Sequence, residues 1–253
     1  MRALYVYGIV EADALDDAAT LGPGLAGATL RLQRCECDLT ALVAEADGRL
    51  PEANRRNLLT HTAVLERAIA RADVLPMRFA TIAPDARHLD DCLSRNAALF
   101  RAALAGIAGR IELGVKASWR DGVAFREILA ADPGLRAQRD RLQSRLGGQI
   151  YQERIALGRQ VEAALEKLRA ADCAAIKARL EPLAERTTGL KQLEETMVMN
   201  RAFLVRREVE PAFDAAMRDI AQSEDARMSF RYIGPVPPYN FVTLRADWLG
   251  QVA

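Results

Sequence analysis

Residues 3 to 10 are apolar on both parities, in Ala3-Leu4-Tyr5-Val6-Tyr7-Gly8-Ile9-Val10. Such a run reads as a strand buried on both faces. Residues 11 to 28 are acidic and then rich in Gly and Pro, which predicts a loop or a short helix with a loop. Leu30, Leu32, Cys35, Cys37, Leu39, Ala41 and Val43 then alternate through residues 29 to 37 and 39 to 46. They predict a hairpin turning near Asp38. From Glu52 to Ala72 the period becomes helical, with Leu58, Thr62, Leu65, Ile69 and Ala72 on one stripe. Asp73 and Pro76 end it, and Val74 to Ile82 reads as a strand. A second helix places Leu89, Cys92, Leu93, Asn96, Leu99, Phe100, Ala103, Leu104 and Ile107 on one face, with Gly106 and Gly109 at its end.

A new pattern begins at about Arg110. Ile111, Leu113, Val115, Ala117 and Trp119 alternate with Glu112, Gly114, Lys116 and Ser118, predicting a strand with one wet face. Asp132-Pro133 opens a helical region over residues 132 to 186. Gly147-Gly148, Gly158 and Pro182 divide it into two or three helices. Thr196 to Val205 reads as a strand. Glu208 to Ala221 reads as a helix with Val209, Phe213, Ala216, Met217 and Ile220 inward and Pro211 in its first turn. Met228 to Ile233 is the last long strand. The expected class is α+β, with two ferredoxin-like-related sandwich units. The first covers residues 1–109, its first helix degraded into the 11 to 28 loop. The second covers 110–253 and carries the helical region as an insertion.

Composition narrows the function classes. Half of the 253 residues are hydrophobic, so a sizeable core is available, and 35 Lys+Arg nearly cancel 34 Asp+Glu. A nucleic-acid or anionic-membrane partner normally leaves a basic excess, and none is present overall. The apolar run after Arg2 is too short and lacks the small-residue site of a secretory leader. No stretch approaches the ~20 apolar residues that span a bilayer. Cys35, Cys37, Cys92 and Cys173 show no paired spacing and read as free thiols in a cytosolic protein.

Catalytic chemistry finds little purchase. Gly22-Pro23-Gly24-Leu25-Ala26-Gly27 matches the letters of a dinucleotide-binding turn. It neither directly follows a strand nor opens a helix, and Pro23 lacks an amide donor, so it reads as a turn. His61 has Val64 and Leu65 where a metal site would place partners, and reads as a core-edge or surface residue. His88, Asp90 and Asp91 fit a helix start better than a zinc site. The pairs Glu194-Glu195 and Asp16-Asp17 read as solvated, and Arg206-Arg207 as an exposed strand end. No metal or cofactor is expected.

Near its end the chain reads Gly234-Pro235-Val236-Pro237-Pro238-Tyr239-Asn240-Phe241. Proline fixes φ, removes a donor and restricts its predecessor. Residues 234 to 238 are thus excluded from a regular helix or a central strand, and the segment presents a shape, not a reactive group. It resembles the Gly-Pro-Trp-Pro-Pro-Tyr-(Ser/Asn)-Phe signature of the gas vesicle GvpL/GvpF family. Four further stretches resemble that family in order: Leu4 to Val10, Val74 to Thr81 (a Leu-Pro-x-Arg-Phe-Gly-Thr string), Ile111 to Lys116 with Trp119, and Asn200 to Val205. Val236 stands in place of the family Trp, and Ala80 in place of its Gly.

The resemblance implies a non-catalytic minor structural or assembly protein of the gas vesicle, itself a cytoplasmic body. It would bind the main shell protein and other gas vesicle proteins during gas vesicle organization, without a cofactor. Gly234, Pro235, Pro237, Pro238, Tyr239 and Phe241 form the candidate clamp, with Tyr239 expected as its surface contact. The alternative is a small-molecule-binding protein or enzyme on tandem ferredoxin-like domains, which needs a concave site with convergent titratable groups.

Overall fold

A computed structural model describes residues 2–143 and 151–242. The chain is mixed helix and sheet, with two antiparallel sheets. It divides into two compact units: one holds Met1–Leu113, Leu204–Arg207 and Gly234–Ala253, the other Gly114–Phe203 and Glu208–Ile233. The expected division at 109/110 took each unit as one continuous stretch, whereas both compact units are discontinuous. The closing proline segment, however, was expected to complete the C-terminal unit, and it lies in the first compact unit instead.

In the first unit, β1 (Ala3–Glu11), β2 (Leu30–Arg34) and β3 (Leu39–Ala46) form the sheet with β4 (Leu75–Pro76) and β5 (Ile82–Ala83). The order is β2-β3-β1-β4, with β5 also paired to β1. β1 is buried on both faces, as its pattern requires. Leu4, Val6 and Ile9 enter one core cluster, while Tyr5, Tyr7 and Val10 enter another. The jump from Val6 to Ile9 marks a bulge, where the register against β3 shifts between Val6 and Gly8. Glycine is required there: a Cβ on Gly8 would lie 2.6 Å from Val74 Cγ1 and 3.0 Å from the Leu75 carbonyl oxygen.

α1 (Arg55–Ile69), capped by the Asn54 side chain, contributes to the second cluster. Its inward stripe is His61, Val64, Leu65, Ala68 and Ile69. The expected stripe was rotated: Leu58 is exposed, and His61, expected at the edge, is buried at 3% exposure. The predicted helix through Ile107 is two, α2 (Ala86–Arg95) and α3 (Ala97–Ile107). They break at Asn96, whose backbone leaves the helical region at φ −111° and ψ 14°. Both pack on the first cluster through Leu89, Leu93, Phe100, Leu104 and Ile107.

The single strand expected over 74 to 82 is interrupted. β4 and β5 both pair with β1, and residues 78 to 80 leave it in a turn closed by the Thr81 N–H and hydroxyl on the Arg78 carbonyl. Pro76 offers no ladder donor, and Ala80 sits at φ +67°.

The second sheet runs β7-β8-β6-β9, from β6 (Arg110–Trp119), β7 (Arg186–Gly189), β8 (Met197–Arg206) and β9 (Met228–Val236). The alternation of β6 holds for its apolar residues, but Glu112, expected to be wet, is buried. β9 extends through Pro235, which the edge position permits because no further strand needs its missing donor. The helices are α4 (Val123–Ala131), α5 (Pro133–Gln143), α6 (Tyr151–Leu180) and α7 (Glu210–Ser223). α4 and β7 escaped the sequence pattern. Gly158 does not break α6, which runs 30 residues, and Gly147-Gly148 lies outside the described residues. Phe213, Met217 and Ile220 of α7 are buried as expected, with Phe213 5.3 Å from Phe203 in ring-centroid distance.

Candidate functional site

The closing segment is built from its glycine outward. Gly234 adopts φ +132°, and a Cβ there would lie 2.9 Å from both the Glu112 carbonyl oxygen and Leu113 Cδ2. Steric space and backbone angle both demand glycine. Pro235 is exposed, Val236 half-buried, and Pro237 and Pro238 buried. Tyr239–Phe241 forms a 3-10 turn, with Phe241 buried. Its N–H donors from Tyr239 and Phe241 reach the carbonyls of Pro237 and Pro238 at 2.7 and 3.1 Å.

Asn240 fastens the turn. Its backbone N–H donates to Glu112 Oε2 at 2.8 Å and its side-chain Nδ2 to Oε1 at 2.5 Å. Burial pushes the Glu112 carboxyl above its usual range, and the two Asn240 donors pull it back. A buried carboxylate needs such donors to offset its desolvation. The apparent break in the β6 pattern is thus one half of this contact.

Tyr239 turns inward. It packs on the cluster holding Tyr5, Tyr7, Val64 and Leu65. Its hydroxyl is enclosed and has no hydrogen-bond partner among the described residues. The outward contact expected of Tyr239 is therefore corrected: the hydrophobic face of the N-terminal sheet was the better place for its ring.

Beside it lies a polar network that the sequence did not announce. The Ala80 N–H donates to the Tyr5 hydroxyl at 3.0 Å, and that hydroxyl lies 2.9 Å from His61 Nδ1. His61 Nε2 lies 3.2 Å from the Met77 carbonyl, which only accepts, so Nε2 carries the proton and Nδ1 accepts from Tyr5. Burial lowers the His61 pKa to about 4. The imidazole is neutral, stacked 5.5 Å from Tyr7, and engaged at both nitrogens. Tyr7 in turn accepts the Leu25 N–H at 2.7 Å. The Gly22 to Gly27 string is thus a turn docked on β1. The only early signal for this network was one histidine among apolar helix positions. With both nitrogens engaged it fixes two turns, and it has no free site for acid–base work.

His88, Asp90 and Asp91 do not converge. The His88 backbone N–H donates to the capping Asp85 carboxylate, and Asp90 accepts from the Glu36 N–H. Among the described residues, no three His, Cys, Asp or Glu side chains are placed to share an ion, and no helix is long and apolar enough to cross a membrane.

The second unit contains an open groove of about 570 Å³ lined by Trp119, Phe125, Val161 and Leu165, with Glu162, Glu194 and Glu195 among its polar residues. Its Trp119 wall is anchored from behind. The indole N–H donates to Asp172 Oδ2 at 2.7 Å, and Arg227 binds Asp172 at 3.1 Å while holding Glu127 at 2.6 and 2.7 Å. Arg227 keeps the Glu127 carboxyl below its usual range. The pair Glu194-Glu195, read from sequence as merely solvated, lies on this groove. Phe125 and Glu162 had no distinguishing spacing.

Comparison with known proteins places these features in context. The family model described as "Gas vesicle synthesis protein GvpL/GvpF" matches residues 3–243. A protein named Gas vesicle protein F from Streptomyces sp. is 33% identical over 206 residues, covering 81% of this chain and 84% of that protein. Its namesake from Nostoc sp. is 28% identical over 244 residues, covering 95% and 98%. The crystal structure of the gas vesicle protein GvpF from Anabaena sp. superposes with a TM-score of 0.83 at 26% identity, covering 97% of this chain and 100% of that one.

Proposed function

The chain belongs to the GvpL/GvpF family of gas vesicle synthesis proteins, and from that premise we propose that it is a non-catalytic structural or assembly protein of the gas vesicle. It binds the main shell protein and other gas vesicle proteins while the vesicle forms in the cytoplasm. The family match over residues 3–243 carries this reading. One feature supports the non-catalytic part: the buried His61 is engaged at both ring nitrogens, by Tyr5 and by the Met77 carbonyl.

Gly234, Pro235, Pro237, Pro238, Tyr239 and Phe241 act as a structural clamp, a reading supported by the Asn240–Glu112 contact and the inward Tyr239. The ferredoxin-like reading is supported by both sheet orders, which place the first strand between the third and the fourth.

The test is recovery of partners by the tagged chain from cells that make gas vesicles. Shell protein and accessory proteins are expected in the eluate. Recovery of no gas vesicle protein, together with normal vesicles in a strain lacking the gene, overturns the proposal.

A further inference from the structure

The groove of the second unit lies along α4 and α6. Its lining runs on α6 from Gly158 to Arg169, a length of about 16 Å or three helical turns. Apolar surface faces it: Phe125, a lining residue, is 53% exposed. Val161 and Leu165 are only half-buried on the same stripe of α6. An apolar strip of this length, left open beside a helix, is the shape that accepts one further helix.

The charges around it are unequal. Arg169 is consumed internally: it pairs with Glu166 at 2.5 Å, donates to the Met197 and Glu195 carbonyls, and lies 5.3 Å over the Trp119 ring. Arg120 pairs with Asp225 at 2.6 Å. Glu162, Glu194 and Glu195 have no ion pair among the described residues. The groove is therefore apolar along its floor and net acidic along its rim. That combination repels nucleic-acid phosphates and anionic lipid, and it favours a protein helix with basic flanks.

We infer that this groove seats an amphipathic helix of a gas vesicle partner, its apolar stripe on Phe125, Val161 and Leu165 and its Lys/Arg flanks against Glu162, Glu194 and Glu195. The inference rests on the proposed function, which supplies the partner class. Gly158 fits the same role, since a Cβ added there meets nothing within 4 Å and leaves room for a close backbone.

The full chain is titrated, by fluorescence anisotropy, into a labelled synthetic helix of about 14 residues with Leu at i, i+3, i+4 and i+7 and Lys on both flanks. Saturable binding is expected. It should weaken about tenfold or more in Gly158→Leu, in Glu162→Lys/Glu194→Lys, and when Glu replaces Lys in the probe. A circular dichroism melt of each variant keeps loss of folding apart from loss of binding; Gly158→Leu points into open space and should fold. No saturable binding by the wild type, or equal binding by both folded variants, overturns the inference. Capture of gas vesicle proteins from cells is read separately. If wild type and groove variants capture the same gas vesicle proteins equally, the groove seats none of them and the inference falls while the proposed function stands. If the wild type captures no gas vesicle protein and a strain lacking the gene makes normal vesicles, the proposed function falls.

Discussion

Tyr239 offers a sharp test of whether the family-like closing segment works by folding or by contact. Its ring packs on the N-terminal cluster, and its hydroxyl is enclosed without a partner among the described residues. Burial pushes that phenol well above its ordinary pKa, consistent with a hydroxyl removed from water. A buried, unpaired hydroxyl costs about 1–3 kcal/mol in desolvation. Tyr239→Phe deletes the hydroxyl and keeps the ring, so it should stabilise the chain by about 1 kcal/mol. Tyr239→Ala deletes the ring as well. Full truncation of a buried aromatic costs about 3–5 kcal/mol, and a half-buried ring should lose roughly 2. Urea unfolding of wild type and both variants measures this, read as midpoint shifts at constant slope. A Phe variant less stable by about 1 kcal/mol would mean that the hydroxyl makes a bond. An Ala variant as stable as wild type, but deficient in partner recovery, would restore Tyr239 as an outward contact and refute the clamp.

Two further predictions concern the same unit. His61 has a pKa of about 4 in the fold against an ordinary 6.5. Its contribution is complete above the ordinary value and is lost as pH falls through about 4, with a full amplitude of about 3 kcal/mol. His61→Gln should therefore show less loss of unfolding free energy than wild type between pH 7 and 4; parallel losses in both proteins would refute the neutral imidazole. Gly234→Ala should lower stability by about 2 kcal/mol or more, since φ +132° is strained for any Cβ and the site is filled by Glu112 and Leu113. A thermal melt within a degree of wild type would contradict that.

The sequence carried the elements better than their phases. β1 was legible because nothing but a doubly buried strand explains its apolar run, and α7 because Phe213, Met217 and Ile220 keep a strict helical spacing. Three failures have physical causes. The stripe of α1 was rotated because His61, a polar letter, is a core residue once Tyr5 and Met77 engage both nitrogens. Glu112 was placed in water because periodicity cannot show that Asn240, 128 residues later, supplies two donors. Gly158 was read as a helix breaker. One glycine costs a helix only about 1 kcal/mol, which 30 residues absorb. The candidate segment itself was legible as a stiff shape. Which unit it joins was not, because proline restricts backbone angles and says nothing of what lies against them.

The closing segment and the groove differ in how strongly they constrain residue identity. At Gly234 the backbone angle and a neighbour at 2.9 Å leave one residue type, and Pro237 and Pro238 are buried in a path that their fixed φ suits. Constraints of that kind write a motif into a sequence whether or not any partner touches it. The groove imposes no such demand: an open apolar floor accepts any side chain of suitable size, and an acidic rim accepts Asp or Glu at several positions. A binding face of this kind is therefore nearly silent in sequence, and it becomes visible only when folding gathers Phe125, Val161, Glu162 and Glu194 from distant stretches. As the clamp proposed here, the most recognisable part of this chain serves folding, and the partner surface is better sought where the letters looked ordinary.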